Sequence, residues 1–292
     1  KNKLPIELIS VSINGNEITN CCYLLQPNFI NELPKYQTID SAESATKLAA
    51  TADGNIAFSR WLDRNTDLQK QPGYRSVTLS LKPAGVAPGD VTDKQLETIA
   101  DLADRYSFGE LRATHNQNVV LTDVNESDLF ELWQQAKDSG LATPNIGTIN
   151  DMICCPGGDY CSLANAKSIP VAEAIQRKFD DLDYVYDLGD LELNISGCMN
   201  ACGHHHIGHI GILGVDKKGE EWYQIQLGGS ADKNAALGKV LGPSLSRDAV
   251  VDSIETLLDV YVENRLEQET FLKTYQRIGL EKFKERVYAP AS

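Results

Sequence analysis

The chain has 292 residues, a formal net charge of −14 and seven cysteines. Its length allows two domains with hydrophobic cores. The acidic balance argues against a nucleic-acid partner, because phosphates need an excess of Lys and Arg on the binding face. No apolar run is long enough to cross a membrane, no basic and apolar leader opens the sequence, and the odd cysteine count does not suit a disulfide framework. A cytoplasmic protein without a membrane partner is therefore expected, and Lys1 as first residue indicates a processed or excised piece.

Residues 1–65 are expected to form an N-terminal connecting segment. The run Ile6–Ile13 predicts a strand, and the turn residues 14–16 predict a hairpin to a second strand. A short helix is expected over Ala42–Ala50. The adjacent Cys21 and Cys22 point in different directions on any backbone, which favours small buried side chains over shared metal ligands.

Residues 66–144 show the pattern of a ferredoxin-like α+β unit. Val77, Leu79 and Leu81 alternate with polar residues, as in a half-buried strand. Thr92 and Gln95 form a capping box that opens a helix. The apolar face of this helix is expected to comprise Leu96, Ile99, Ala100, Leu102 and Ala103.

Strands over 111–114 and 118–121 follow, and then a second helix begins near Ser127. The side chains that this helix is expected to bury are Leu129, Leu132, Trp133 and Ala136. Strand, helix, strand, strand and helix in this order predict a ferredoxin-like sheet with its helices on one face.

Residues 145–292 are expected to form a mixed α/β domain. Pro170 begins a helix that is expected to run to about Leu182, and the alternation in 191–195 predicts a strand that ends just before Cys198. Strands are expected over 207–215 and 222–227. Ser246 is expected to cap a long helix, and a helical stretch over 270–287 is interrupted at Gly279. The buried stripe of the long helix is expected to comprise Val250, Ile254, Leu257, Leu258, Tyr261 and Val262.

Four cysteines in two pairs are the main chemical signal. Cys155 and Cys161 are spaced C-x5-C, Cys198 and Cys202 are spaced C-x3-C, and both stretches are rich in glycine and small residues. Four converging thiolates require a cation, and zinc and iron–sulfur clusters are the usual candidates. The C-x5-C spacing is too open for a zinc knuckle, which favours a [4Fe–4S] cluster. Zinc, and cysteines without a ligand, remain alternatives.

Two polar stretches have both a structural and a functional interpretation. The three consecutive histidines His204–His206 could indicate a metal site. Consecutive side chains diverge on a strand or loop, however, which favours polar packing or solvation of these histidines. The run 112–118 suits a strand end and turn with side-chain to backbone hydrogen bonds, and its polar residues also suit contacts to a cofactor. The roles of Cys154 and of these histidines stay open.

Three motifs together resemble the sulfite and nitrite reductase hemoproteins. They are 111–118 (LRATHNQN), the cysteine pairs with 194–203 (NISGCMNACG), and 223–229 (YQIQLGG), in the order and spacing of that family. The resemblance implies a ferredoxin-like half domain at 66–144 and a siroheme- and [4Fe–4S]-binding domain at 145–292. The cluster ligands that it implies are Cys155, Cys161, Cys198 and Cys202, with Cys202 bridging to siroheme iron. The siroheme contacts that it implies are Arg112, Gln117, Asn118 and Asn200.

The function that the resemblance implies is six-electron reduction of sulfite to sulfide, in the C-terminal, cluster-bearing part of an assimilatory sulfite reductase. Nitrite reduction to ammonia is the alternative within the family, and a non-catalytic zinc- or cluster-binding module is the alternative outside it. The expected partners are sulfite or nitrite, a ferredoxin or flavoprotein electron donor, and the N-terminal half of the same enzyme. The family's basic Lys-x-Lys segment is expected in that other half, which agrees with the charge of −14 here.

Overall fold

A short hairpin is the regular structure among the described residues of the first forty. The computed structural model describes residues 11–13, 16–18, 36 and 39–289. Strands β1 (Val11–Ile13) and β2 (Asn16–Ile18) pair antiparallel with Ile13 opposite Asn16, which confirms the expected hairpin. Residues 6–10 and the Cys21–Cys22 pair lie outside the described residues.

Antiparallel strands form the first sheet of residues 41–292. Its spatial order among the described residues is β3-β4-β6-β5, which places the strand with Arg112 at an edge. The strands are β3 (Thr66–Leu68), β4 (Tyr74–Leu79), β5 (Leu111–Ala113) and β6 (Val119–Asn125). The expected ferredoxin-like arrangement is confirmed.

Helices pack on this sheet through one hydrophobic core. The helices are α1 (Ser41–Asp53), α2 (Ile56–Asn65), α3 (Asp93–Tyr106) and α4 (Leu129–Asp138). Leu48, Phe58 and Trp61 of α1 and α2 belong to this core, so residues expected to form a connecting segment complete the half domain. The domain boundary at residue 65 stays a prediction.

The expected capping box is present, since Thr92 and Gln95 each bond to the other's backbone N–H at the start of α3. Leu96 and Ala100 were expected on the buried face and are instead exposed, Leu96 to 54%. The buried positions of α3 are Ile99, Leu102, Ala103 and Tyr106. Leu96 lies in the first turn, before the first of these positions, and Ala100 is rotated by about 100° from Ile99 around the helix axis.

The second sheet combines parallel and antiparallel strands in the order β11-β10-β9-β8-β7 among the described residues. Its strands are β7 (Ile153–Cys154), β8 (Leu193–Ser196), β9 (Ile210–Lys217), β10 (Glu220–Leu227) and β11 (Lys239–Val240). Strand β8 lies between β7 and β9 and pairs parallel with both. The strand expected from the alternation in 191–195 is confirmed, and all residues of β8 are buried, its polar residues included.

Helices cover the second sheet. They are α5 (Ile169–Lys178), α6 (Leu182–Leu188), α7 (Arg247–Asn264), α8 (Phe271–Ile278) and α9 (Leu280–Val287). The single helix expected from Pro170 to Leu182 is wrong, because the chain leaves helical geometry at Phe179 and Asp181 caps a new helix.

Both expected signals at the C-terminal helices are confirmed. Ser246 caps α7, and Gly279, with φ +83°, separates α8 from α9. Val262 was expected in the buried stripe of α7 and is 37% exposed. None of the helices in the described part of the chain combines the length and apolarity needed to cross a bilayer.

Candidate metal centre

Strand register brings the two cysteine loops to one edge of the second sheet. Strands β7 and β8 run parallel with Cys154 opposite Ile195. Cys155 follows directly after β7, and Gly197 and Cys198 follow directly after β8. Because neighbouring parallel strands end at the same edge, two loops that lie far apart in sequence start side by side.

Backbone contacts lock the two loops together. The Gly197 N–H donates to the Cys155 Sγ at 3.0 Å. The Gly197 carbonyl accepts from the N–H groups of Asn165 at 2.9 Å and of Ala166 at 3.0 Å, and the Ala166 carbonyl accepts from Gly158 at 2.9 Å. A sulfur that accepts a backbone hydrogen bond is held in a fixed position, which suits a metal ligand.

The glycines of the motif are needed because the loops touch through their backbones. A Cβ on Gly197 would lie 2.7 Å from the Ala166 carbonyl oxygen and 2.8 Å from the Gly157 Cα. A Cβ on Gly203 would lie 1.9 Å from the Ile195 carbonyl oxygen. All three distances are shorter than the contacts that real Cβ atoms make, so a larger residue at either position would push the backbone segments apart.

All described cysteines are free thiols, and they differ in exposure. Cys198 is buried, Cys155 and Cys161 are partly exposed, and Cys202 is exposed. Cys154 is also buried, and burial raises the pKa of its thiol, which donates to the Cys155 carbonyl at 3.2 Å. Cys154 therefore acts as a protonated buried side chain.

Within residues 39–289, no three His, Cys, Asp or Glu side chains are grouped closely enough to hold a single metal ion. The four-cysteine ligand set thus stays a prediction that rests on the juxtaposed loops. Of the histidines, His205 is buried, and burial lowers its pKa to about 4. His209 is buried as well, and its Nδ1 accepts from the Glu192 N–H at 3.2 Å.

The residues expected to contact siroheme divide into two groups. The Gln117 amide donates to the Cys154 carbonyl and accepts from the Cys154 N–H, both at 2.8 Å. The buried Asn118 amide donates to the Asp151 carboxylate at 2.9 Å and accepts from the Leu81 N–H at 3.1 Å. Arg112 and Asn200 are exposed. Gln117 and Asn118 therefore use their polar groups inside the chain, while Arg112 and Asn200 face outward.

A buried ion pair, which no local sequence pattern indicates, joins the half domain to the loop before Cys155. Lys82 Nζ donates to the Asp151 Oδ1 at 2.7 Å, to the Asp151 carbonyl at 3.0 Å and to the Asn116 carbonyl at 2.5 Å. The side chain of Lys82 is 0% exposed and that of Asp151 is 5% exposed. Desolvation lowers the pKa of Lys82, and the Asp151 charge opposes that shift. The pair fixes the segment that leads into β7.

A second contact between the two domains involves α2 and α6. The guanidinium groups of Arg60 and Arg64 lie 5.1 Å and 5.4 Å from the ring centre of Tyr186. Arg60 pairs with Asp183, and Arg64 pairs with Asp190 at 2.7 Å. These ion pairs attach the half domain to the domain of the second sheet, in addition to the Lys82–Asp151 pair and the hydrogen bonds of Gln117 and Asn118.

An open groove of about 960 Å³ runs beside the first cysteine loop. Its walls include Cys154, Pro156 and Tyr160, and its charged lining residues are Asp90, Asp159 and Glu173. Asp159 pairs with Lys167 at 3.0 Å. A lining of this sign does not favour an anion such as sulfite or nitrite.

Comparison with known proteins identifies both domains. The nitrite/sulfite reductase ferredoxin-like half domain matches residues 67–139, and the nitrite and sulphite reductase 4Fe-4S domain matches residues 147–292. Sulfite reductase [ferredoxin] 2 of Mycolicibacterium paratuberculosis is 28% identical over 70% of this chain and 39% of its own length. Ferredoxin–nitrite reductase of Synechococcus elongatus is 26% identical over 77% of this chain and 44% of its own length.

Solved structures agree on the fold. The Mycobacterium tuberculosis NirA protein superposes with a TM-score of 0.63 at 24% identity, over 75% of this chain and 41% of that one. Dissimilatory sulfite reductase I superposes with a TM-score of 0.61 at 13% identity, over 90% of each chain. The expected fold class, a ferredoxin-like half domain followed by a mixed α/β domain, is confirmed. The expected membership of a family whose cofactors are a [4Fe–4S] cluster and siroheme is confirmed as well. The chain belongs to the nitrite and sulfite reductase family.

Proposed function

We propose that this chain is the cluster-bearing part of an assimilatory sulfite reductase, in which sulfite takes up six electrons to give sulfide. The observation that supports this most is the interlocked pair of cysteine loops within the matched 4Fe-4S domain. The chain spans about two fifths of the length of the curated relatives it matches. The remainder of the catalytic unit is therefore assigned to an N-terminal half.

The residues present fit a [4Fe–4S] cluster. The four ligands in the proposal are the free thiols of Cys155, Cys161, Cys198 and Cys202. When bound, a cluster of this kind accepts and passes on single electrons. The chain's own contribution is to hold the loops at one sheet edge and to direct the Gly197 N–H at a ligand sulfur.

For siroheme, the proposal assigns Cys202, Arg112 and Asn200, whose side chains are exposed. When bound, siroheme supplies the iron at which sulfite is reduced. The guanidinium of Arg112 suits a cofactor carboxylate, because it donates two hydrogen bonds in the geometry that a carboxylate accepts. Gln117 and Asn118, expected as direct contacts, are proposed to act by holding Cys154 and Asp151 in place.

The N-terminal half is proposed to cover the cysteine loops. Tyr160, Leu163 and Met199 lie on these loops and are 83%, 71% and 84% exposed. Large apolar side chains at this exposure, close together in sequence around the ligands, suit a surface that another part of the enzyme buries. The same half is proposed to supply the cations that bind the substrate, since the groove beside the loops is acidic.

Nitrite is the second candidate substrate, because relatives named nitrite reductases match as much of the chain as those named sulfite reductases. A ferredoxin is proposed as the electron donor, since both groups of relatives carry ferredoxin in their names. The cytoplasmic location expected from the sequence stays a prediction.

Spectroscopy and turnover test the proposal. The chain is reconstituted anaerobically with iron, sulfide and siroheme, and its visible absorption is recorded. Cluster and siroheme bands are expected, whereas a colourless protein that retains zinc would contradict the proposal. The longer encoded protein is then assayed with a reduced dye as donor. Faster turnover of sulfite than of nitrite, measured as kcat/KM, is expected, and the reverse order would assign the enzyme to nitrite.

A further inference from the structure

We propose that Ser168 raises the reduction potential of the cluster by donating a hydrogen bond to the Sγ of Cys155. The inference rests on the proposed function, because it takes Cys155 to be a cluster ligand. It assigns a role to a residue that lies outside both cysteine pairs.

The Ser168 hydroxyl is committed to this sulfur. The residue is fully buried, and its Oγ lies 3.5 Å from the Cys155 Sγ, within hydrogen-bond range for sulfur. Among the described residues, the hydroxyl has no other hydrogen-bond partner. A cysteine sulfur bound to iron carries no proton, so the hydroxyl must then be the donor.

The position of Ser168 makes this orientation unusual. Ser168 is the N-cap residue of α5, where serine normally accepts a hydrogen bond from the first turn of the helix. Ser246 does so at the start of α7, where its Oγ accepts from the Ala249 N–H. Ser168 instead has helical backbone angles and makes no capping bond. Helix α5 therefore lacks a side-chain cap, and the Ser168 hydroxyl contacts the Cys155 sulfur instead.

Two glycines leave room for the hydroxyl. A Cβ on Gly157 would lie 2.6 Å from the Ser168 Oγ, and a Cβ on Gly197 would lie 3.0 Å from it. Gly157 also has a backbone φ of +57°, which residues other than glycine rarely adopt. Both loops therefore pack against the hydroxyl and restrict it to the direction of Cys155.

Cys155 thus has two donors, the Gly197 N–H at 3.0 Å and the Ser168 hydroxyl at 3.5 Å. Reduction adds negative charge to a cluster and its ligand sulfurs, so a donor at a sulfur stabilises the reduced form more than the oxidised form. Hydrogen bonds to the sulfurs are among the factors that set the potential of such clusters. Removing the hydroxyl should therefore make the cluster harder to reduce.

The test is an EPR-monitored redox titration of the reconstituted 292-residue chain. Ser168→Ala removes the donor, and Ser168→Thr keeps it. Ser253→Ala is the matched control, because Ser253 is a buried serine whose hydroxyl donates to the Ala249 carbonyl and contacts no cysteine. We expect Ser168→Ala to lower the ratio of reduced to oxidised cluster at a fixed potential about tenfold, a shift of ~59 mV for one electron. Ser168→Thr and Ser253→Ala should titrate like the unchanged chain.

The outcomes separate this inference from the proposed function. If the unchanged chain takes up no cluster, the proposed function fails and the inference with it. If the cluster is present and Ser168→Ala titrates at the unchanged potential, only the inference fails. Equal shifts in the alanine and threonine variants would also overturn it, because only one of them lacks the hydroxyl. Loss of the cluster from both variants would assign Ser168 to assembly of the site and would overturn a tuning role.

Discussion

Replacing Lys82 by methionine removes the cation of the buried pair and leaves the Asp151 carboxylate without a counter-charge. Asp151 would keep hydrogen bonds only from Asn118 and Gly147. The pair is 0% and 5% exposed, and removal of one partner from such a pair costs about 3–5 kcal/mol. Since domains have a total stability of roughly 5–15 kcal/mol, this loss is a large fraction.

Urea unfolding of Lys82→Met at neutral pH measures this loss. Lys178→Met is the matched control, because Lys178 is 26% exposed and pairs with Asp252 and Glu255, which are 74% and 53% exposed. An exposed pair of this kind contributes about 0–1 kcal/mol. Adding Asp151→Asn to Lys82→Met should recover part of the loss, because no buried charge then remains unpaired. Equal costs for Lys82→Met and Lys178→Met would refute the argument that burial makes this pair important.

Three further changes have defined outcomes. Gly197→Ala must move the loops apart by about 0.7 Å, from 2.7 Å to the 3.4 Å of ordinary contact, so iron uptake on reconstitution should fall. Gly54→Ala, whose added Cβ has contacts no closer than 3.9 Å, should take up iron normally. Gln117→Glu keeps an oxygen that accepts from the Cys154 N–H but removes the group that donates to the Cys154 carbonyl. Hydrogen exchange of the Cys154 amide should therefore become faster, and an unchanged exchange rate would contradict the contact. The pKa of His205 is about 4 in the folded chain, below its ordinary 6.5. As the pH drops from 6.5 towards 4, the unfolded chain therefore binds a proton at His205 that the folded chain does not, and the free energy of unfolding should fall. His205→Gln should flatten that part of a plot of urea midpoint against pH, and an equally steep plot would contradict the assignment.

Local signals predicted most elements well. The Thr92–Gln95 capping box, the Ser246 cap and the Gly279 break each depend on residues within one or two turns, and each is present. The expectations for Leu96, Ala100 and Val262 failed because helical periodicity indicates the apolar face of a helix but not how much of that face its neighbours cover. The break between α5 and α6 was missed because Asp181 was not recognised as an N-cap that starts a new helix.

The candidate site required long-range information. The cysteine spacing and the family motifs indicated which residues carry the chemistry, but only the parallel pairing of β7 with β8 shows why the two loops meet. The contact of Lys82 with Asp151 spans 69 positions in the chain. In the sequence Lys82 is indistinguishable from a surface lysine. Ser168 gives only the signal of a helix start, and its contact with Cys155 depends on the absence of side chains at Gly157 and Gly197.

The most direct test of the account compares two neighbouring cysteines. Cys155 is a proposed cluster ligand, whereas Cys154 is a buried thiol that donates to a backbone carbonyl. The unchanged chain, Cys154→Ala and Cys155→Ala are reconstituted anaerobically, reduced with dithionite and examined by EPR. The account predicts the signal of a reduced [4Fe–4S] cluster in the unchanged chain and in Cys154→Ala, and its loss in Cys155→Ala. Retention of the full signal in Cys155→Ala, or its loss only in Cys154→Ala, would contradict the account.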